Sequence, residues 1–236
     1  MERSGTSTPL ADAVQGLTLE LVSALRSGGP FRLAGSVTGA DGPDTTDGPG
    51  LAAVRVVGAD AVLPSVLRRT SPDPDDLAVF SRAVHAYPPA ENASPASVWS
   101  HWAMQRTLLR LGASFDGTSR HEAEPRATWL DDAPWQSLTH QLAVLAPLAT
   151  PGADCAVARV ARGRPVDVAR GFVRAVRRRD WLQAAGAGRW LVLLDGVPET
   201  LGLLTGLEFV AQMGGDDPRV ALQVEAARLM RAGVLV

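Results

Sequence analysis

Lysine and isoleucine are both absent from this chain of 236 residues, and cysteine, tyrosine and asparagine each occur once. Without lysine the chain cannot form a Schiff base, attach pyridoxal phosphate or complete a Walker A phosphate loop. The single Cys155 excludes an internal disulfide, a cysteine-rich zinc site and a Cys-x-x-Cys redox motif. These absences exclude several large classes of enzyme.

The missing and rare residues share a property at the level of the gene, because lysine, isoleucine, asparagine and tyrosine have AT-rich codons. Alanine, glycine, arginine, proline and valine are abundant instead, and all 23 basic residues are arginine. This pattern is typical of a GC-rich bacterial genome of the actinobacterial kind. The arginine content by itself therefore does not indicate selection for phosphate binding.

Charge and hydropathy predict a cytoplasmic protein without a membrane segment. The formal net charge of −2 and the isoelectric point near 6.1 argue against a general nucleic-acid binder. The first 16 residues lack the apolar core and the small-residue cleavage site of a secretory signal. The longest charge-free run, residues 133–153, is interrupted by polar residues and prolines and is too polar to cross a bilayer.

Apolar residues at helical spacing, interrupted by proline and glycine, predict a mainly α fold with the architecture of an irregular multi-helix bundle. A first helix begins at Pro9 and ends at Gly28. The later helices are predicted at 59–69, 75–86, 95–112, 134–146, 153–162, 166–179, 180–194, 199–213 and 217–231. Ser94, Pro134 and Asp217 provide start signals for three of them.

Residues 31–57 leave two structures open. They form either a small β-hairpin, with strands at 31–37 and 51–57 around a flexible loop at 39–50, or an irregular segment. We therefore predict an N-terminal part, residues 1–58, and a helical domain, residues 59–236, packed together as one unit.

Small residues are concentrated in two late helices, where glycines occur at positions 186, 188, 202 and 206. A glycine inside a helix costs about 1 kcal/mol relative to alanine. The sequence therefore predicts a close helix–helix crossing there, and a ligand lying against exposed backbone is the alternative.

Arginine is concentrated between residues 159 and 179, which carry eight arginines and one acid, Asp167. That segment has a net charge of +7, so the remainder of the chain has a charge of −9. Four of these residues share one face of a predicted helix, opposite an apolar stripe, and we call them the arginine face: Arg170, Arg174, Arg177 and Arg178. Two interpretations stay open, an anion-binding surface or a solvated face paired with nearby acids.

Aromatic and histidine residues are concentrated between residues 99 and 140, which contain four of the six tryptophans and three of the four histidines. Tryptophan at helical spacing indicates core packing. The alternative is an aromatic pocket in which histidine or carboxylate groups act as acid and base. Its candidate residues are Trp99 and Trp102 for binding, and His101, His121 and His140 for catalysis.

Metal and nucleophile motifs are absent from the sequence. Neither a His-Glu-x-x-His helix nor a Gly-x-Ser-x-Gly turn occurs, and Cys155 fits a buried structural thiol. We therefore expect no metal and no cofactor.

Two hypotheses for function follow. The first is a non-catalytic helical binding or accessory protein whose arginine face engages an anionic or apolar ligand, a small or peptidic molecule or a protein partner. The second is a cofactor-independent isomerase, cyclase or lyase of bacterial secondary metabolism that uses the tryptophan–histidine pocket. Both hypotheses are compatible with a homodimer.

Overall fold

The structure is a computed structural model that describes residues 8–41, 48–112 and 123–233. These residues form α-helices joined by loops and short 3-10 turns, with no β-strand among them. The predicted mainly α fold is confirmed. The helices are α1 Pro9–Ser27, α2 Leu33–Asp41, α3 Pro49–Val57, α4 Leu63–Arg68, α5 Pro74–Ala86, α6 Pro95–Arg110, α7 Thr128–Asp131, α8 Trp135–Val144, α9 Ala156–Gly163, α10 Pro165–Arg177, α11 Trp181–Leu191, α12 Leu203–Gly214 and α13 Pro218–Arg231.

Prolines and capping side chains set the starts of several helices. Ser94 Oγ accepts a hydrogen bond from the Ser97 amide at the start of α6, and Asp217 Oδ1 accepts one from the Arg219 amide at the start of α13. Both helices have proline in the first turn, where the missing N–H costs no hydrogen bond. These two predicted start signals are confirmed, and Pro134 immediately precedes α8.

The β-hairpin predicted at residues 31–57 is wrong, because residues 33–37 and 51–57, where its strands would lie, are helical. Helix α2 buries Leu33 and Val37, four residues apart, and α3 buries Leu51 and Val54, three residues apart. These spacings place each pair on one helical face, whereas a strand would point alternate residues to opposite sides. Of the loop predicted at 39–50, residues 42–47 lie outside the described part of the chain.

A single hydrophobic cluster extends from Leu17 in α1 to Met230 in α13. Helix α13 is largely buried in this cluster, where it packs against α1, α11 and α12. Helix α1 also packs against α3. This packing joins the part of the chain before residue 58 to the helices that follow it.

A buried polar network connects four distant parts of the chain inside this core. Arg189 Nη1 donates hydrogen bonds to Asp60 Oδ2 at 2.7 Å and to Gln223 Oε1 at 2.8 Å. Gln223 Nε2 donates to the same Asp60 oxygen at 3.0 Å, and Arg189 Nε donates to the Ala149 carbonyl at 3.1 Å. Arg189 is fully buried and Asp60 is 1% exposed, so their charges stabilise each other away from water.

The predicted close helix crossing is formed by α8 and α11. A methyl group placed on Gly186 would lie 2.8 Å from the Ala143 carbonyl oxygen, closer than a real contact allows. The Trp190 indole N–H donates to the Leu142 carbonyl at 2.6 Å, which satisfies a carbonyl near the end of α8. Gly202, predicted inside a helix, instead precedes α12 and has a φ of 58°.

One helical stretch, Pro49–Arg68, is long and apolar enough by length and composition to cross a membrane, with a mean hydropathy of 1.6. It includes α3, α4 and the 3-10 turn between them, and 67% of its most apolar window is buried inside the protein. Such burial is what the core helix of a soluble protein has.

Candidate functional site

Helix α10 has two chemically distinct faces, as its sequence predicts. Its buried side includes Val168 and Phe172, which are 0% and 3% exposed. All four members of the arginine face are exposed. Because the same helix turns apolar residues inward and cations outward, its position in the core fixes where the positive charge appears on the surface.

A groove of about 730 Å³ lies along the exposed side of α10, and we call it the α10 groove. Its volume is within the range of small-ligand sites in proteins. Its lining combines apolar side chains with all four members of the arginine face: Trp135, Val166, Ala169, Arg170, Val173, Arg174, Arg177, Arg178, Pro198, Thr200 and Leu201. The groove thus places an apolar floor beside a row of guanidinium groups.

Three segments of the chain build the walls of the α10 groove. Helix α10 contributes most of the lining, Trp135 comes from the start of α8, and Pro198, Thr200 and Leu201 come from the turn before α12. The guanidinium carbon of Arg174 lies 5.7 Å from the centroid of the Trp135 ring. This distance is typical of a cation–π contact, which is worth about 0.5–1 kcal/mol at an exposed site.

Arg164 holds the start of α10 in place through hydrogen bonds, and it is not part of the groove lining. Its Nε and Nη2 atoms donate to Asp167 Oδ2 at 2.9 and 2.6 Å, and its Nη1 donates to the Ala133 carbonyl at 2.8 Å. Arg170 Nη1 lies 3.6 Å from the other Asp167 oxygen. Asp167 therefore shares its charge between two arginines and only partly neutralises the arginine face.

The arginines that precede α10 are paired with acids outside the groove. Arg159 donates to Asp154 at 3.1 Å and lies 3.4 Å from Glu124. The hydrogen bond and positive charge of Arg159 hold the pKa of the Asp154 carboxyl below its ordinary value. Arg162 also contacts Asp154, at 3.5 Å. In the described part of the chain, most of the arginines of this segment that have no paired acid therefore belong to the arginine face.

Neither Arg177 nor Arg178 forms an ion pair with an acid in the described part of the chain. Two acids from other parts of the chain are already paired with arginines outside this face, Asp73 with Arg32 and Asp217 with Arg219. The negative end of the α10 dipole favours cations in the last turn by about 0.3–1 kcal/mol each. That effect accounts for charge at the end of α10 but not for the apolar floor beside it.

The tryptophans predicted for a second binding pocket lie in the core. Trp99 is 0% exposed, and its indole N–H donates to the Arg126 carbonyl at 3.2 Å. Trp102 is 6% exposed and meets Trp99 edge to face, with ring centroids 5.0 Å apart. This is the packing arrangement expected of aromatic side chains in a hydrophobic core.

The three candidate catalytic histidines are not brought together among the described residues. His101 is buried in α6, whereas His140 is exposed on α8 and its Nδ1 lies 3.2 Å from Gln183 Oε1. His121 lies outside the described residues. Helices α6 and α8 do not form one of the main helix–helix interfaces. The α10 groove itself has no histidine among its described lining residues.

Cys155 is the structural thiol that the sequence predicts. It is 2% exposed, and burial raises the pKa of its thiol, so the reactive thiolate is disfavoured. It lines a cavity of about 30 Å³, beside Asp60 and Trp102, which has room for about one water molecule. Where the chain is described, no three histidine, cysteine or acidic side chains group as a metal ion would require.

Sequence reasoning identified the arginine face but not the rest of the groove. Tryptophan at helical spacing predicts core packing, yet Trp135 is half-buried and forms part of the lining. No pattern in the sequence predicts a site at Pro198, Thr200 and Leu201. The sequence has one signal for this part of the site, the turn from Pro198 to Gly202. Turns between helices often carry binding residues on the surface.

No protein-family model matches this chain, and neither a curated protein sequence nor a solved structure is significantly similar to it. The arrangement of side chains in the α10 groove is then the basis for assigning a function.

Proposed function

We propose that this chain is a non-catalytic binding protein whose α10 groove holds a ligand with both an apolar surface and negative charge. The observation that carries the proposal is that all four members of the arginine face line the same groove as a set of apolar side chains. A solvated face paired with acids would not need an apolar floor. Arginine suits this role because its planar guanidinium binds carboxylate or phosphate through two parallel hydrogen bonds.

The chemistry of the groove favours binding over catalysis. No histidine, cysteine, aspartate or glutamate is among its described lining residues, so it offers no acid–base pair and no activated nucleophile. Four guanidinium groups remain charged at all ordinary pH values and therefore act as fixed positive charges. The groove is equipped to hold an anion rather than to transfer protons.

An anionic fluorescent dye tests the proposal directly. Anilinonaphthalene sulfonate combines an apolar ring system with one negative charge, whereas phenyl-naphthylamine has similar rings and no charge. We expect the sulfonate dye to bind at the groove, and the triple variant Arg170→Gln, Arg174→Gln, Arg178→Gln to weaken that binding at least about tenfold. Binding of the uncharged dye is expected to change by less than about threefold.

A matched triple variant controls for the loss of net charge. Arg69, Arg82 and Arg231 are exposed and lie outside the groove lining, so their replacement by glutamine removes the same charge elsewhere. The dye also has a second apolar surface to bind, because Leu204, Phe209 and Met213 are 49%, 45% and 52% exposed on α12. Equal loss of dye binding in both triple variants, or no loss in either, overturns the proposal.

A further inference from the structure

Resting on the binding function proposed above, we infer that the α10 groove receives an amphipathic α-helix of a partner protein, with acidic residues along the edge of its apolar stripe. Three properties of the groove favour this occupant over a lipid or a nucleic acid. They are the spacing of its charges, its exposure and the chemistry of its floor.

The charges are distributed along the groove rather than collected at one end. Arg170, Arg174 and Arg178 recur once per helical turn, so they cover about 12 Å along the α10 axis. A lipid carries its negative charge in a headgroup, and most of these guanidinium groups would then lie beside its uncharged chain. A helix with an acid in each successive turn can place one carboxylate opposite each arginine.

The groove is exposed along its side, which suits a ligand that has a polar face of its own. Val166 is 45% exposed although it belongs to the apolar lining. Small-ligand pockets bury about 70–90% of their ligand, and an alkyl chain lying here would remain partly in water. An amphipathic helix buries its apolar stripe on the floor and turns its polar face to solvent.

The floor is poorly suited to nucleotide bases. Binding of single strands relies on exposed aromatic rings against which bases stack, and Trp135 is the one aromatic residue in the described lining. Arg174 already lies over its ring at 5.7 Å.

A designed peptide provides the probe for this inference. It is an acetylated and amidated helix of about 18 residues, roughly five turns, with leucine along one stripe and glutamate along one edge of that stripe. We expect it to bind the wild-type protein and to displace anilinonaphthalene sulfonate. Replacing its glutamates by glutamine, or scrambling its sequence so that the stripe is lost, should weaken binding at least about tenfold.

The absence of lysine allows the contact to be mapped at single positions. In Arg170→Lys, Arg174→Lys or Arg178→Lys, the new residue is the only lysine side chain in the protein. Carbodiimide treatment then couples a peptide carboxylate to that amine as an amide. We expect each of the three variants to couple to the peptide at its new lysine, located by mass spectrometry of proteolytic fragments, whereas Arg82→Lys, which lies outside the groove lining, should not couple at residue 82 and wild type should show no more than coupling at the α-amino group.

The outcomes separate this inference from the proposed function. Peptide binding that requires both the glutamates and the arginine face supports it. Arginine-dependent displacement of the dye by dodecyl phosphate or by a thymidine oligonucleotide, with no displacement by the peptide, overturns the helix as occupant while the binding function stands. If the dye itself binds independently of the arginine face, the proposed function is overturned as well.

Discussion

Arg174 on α10 lies over the indole of Trp135 at the start of α8, with 5.7 Å between its guanidinium carbon and the ring centroid. This contact joins two helices that both line the α10 groove. It holds a long, exposed side chain along the apolar floor. The charge of Arg174 is therefore positioned before a ligand arrives, which lowers the entropy cost of binding.

Replacing Arg174 by glutamine should affect binding more than folding. We expect the affinity for anilinonaphthalene sulfonate to fall about three- to tenfold, and the free energy of unfolding to change by less than about 1 kcal/mol. Arg174→Lys is the matched control, since lysine keeps the charge and can still contact the ring face. Dye titration and urea unfolding provide the two measurements, and a large loss of stability with unchanged dye affinity would contradict the assignment.

Breaking the buried pair between Arg189 and Asp60 should destabilise the protein strongly. Arg189→Met leaves the Asp60 carboxylate buried without its cation, and we expect a loss of about 3–5 kcal/mol in the free energy of unfolding. The double variant Asp60→Leu, Arg189→Met removes both charges and should be more stable than Arg189→Met alone. Urea unfolding of both variants measures the difference.

An exposed ion pair is the control for the buried one. Arg219 is 56% exposed in its pair with Asp217, so Arg219→Met should cost at most about 1 kcal/mol. If Arg189→Met lowers the free energy of unfolding no more than Arg219→Met does, the buried network does not stabilise the fold as the structure indicates.

Two glycine-to-alanine substitutions should change the stability of the protein in opposite directions. Gly186→Ala inserts a methyl group 2.8 Å from the Ala143 carbonyl oxygen, so α8 and α11 must separate. We expect a loss of about 1–3 kcal/mol in the free energy of unfolding. Gly16 lies within α1 with open space around it, and Gly16→Ala should stabilise the protein by about 0.5–1 kcal/mol. Thermal unfolding of both variants should show shifts of opposite sign, and two shifts of equal sign would contradict the crossing.

Stability should fall at alkaline pH partly because of Cys155. Burial raises the pKa of its thiol in the folded state, so the folded protein holds this proton at pH values where the unfolded chain has released it. The stabilisation that this proton provides is therefore complete below the unfolded pKa of about 8.5. It is lost as the pH rises toward the higher pKa of the folded state. The pH range of the effect begins at about 8.5.

The Cys155→Ala variant isolates this effect from other groups that titrate in the same range. Urea unfolding between about pH 7 and about pH 10 should show a shallower loss of stability for the variant than for wild type. Parallel curves would mean that Cys155 is ionised equally in both states. In the same experiment, the thiol of the folded wild type should resist alkylation, whereas the unfolded chain should react readily.

The fold after residue 58 follows from local signals, whereas α2 and α3 depend on tertiary contacts. Ser94, Asp217 and their following prolines mark helix starts because capping and proline geometry act within one turn. Residues 31–37 and 49–57 are too short and too mixed in pattern for periodicity to separate helix from strand. Their burial against the core, at Leu33 and Leu51, is what selects the helix.

Only part of the candidate site can be predicted from local sequence patterns. The sequence predicts the arginine face because its residues recur at helical spacing along one helix. Trp135 and Leu201 join it from 39 residues before and 27 residues after Arg174, and no local pattern reports that proximity. The apolar floor, which distinguishes a groove from a solvated face, therefore becomes visible only in the folded chain.

The burial of α13, the last helix described, has a consequence for how the protein is made. Arg26 on α1 pairs with Glu225 on α13 across 199 residues of sequence, and α13 also fills the space against α11. During translation, α1 can pack against α3 early, but the part of its apolar side that contacts α13 stays uncovered until the end of the chain is made. Such nascent surfaces attract chaperones and promote aggregation. Completion of the native core must therefore wait until residues 218–231 have been synthesised.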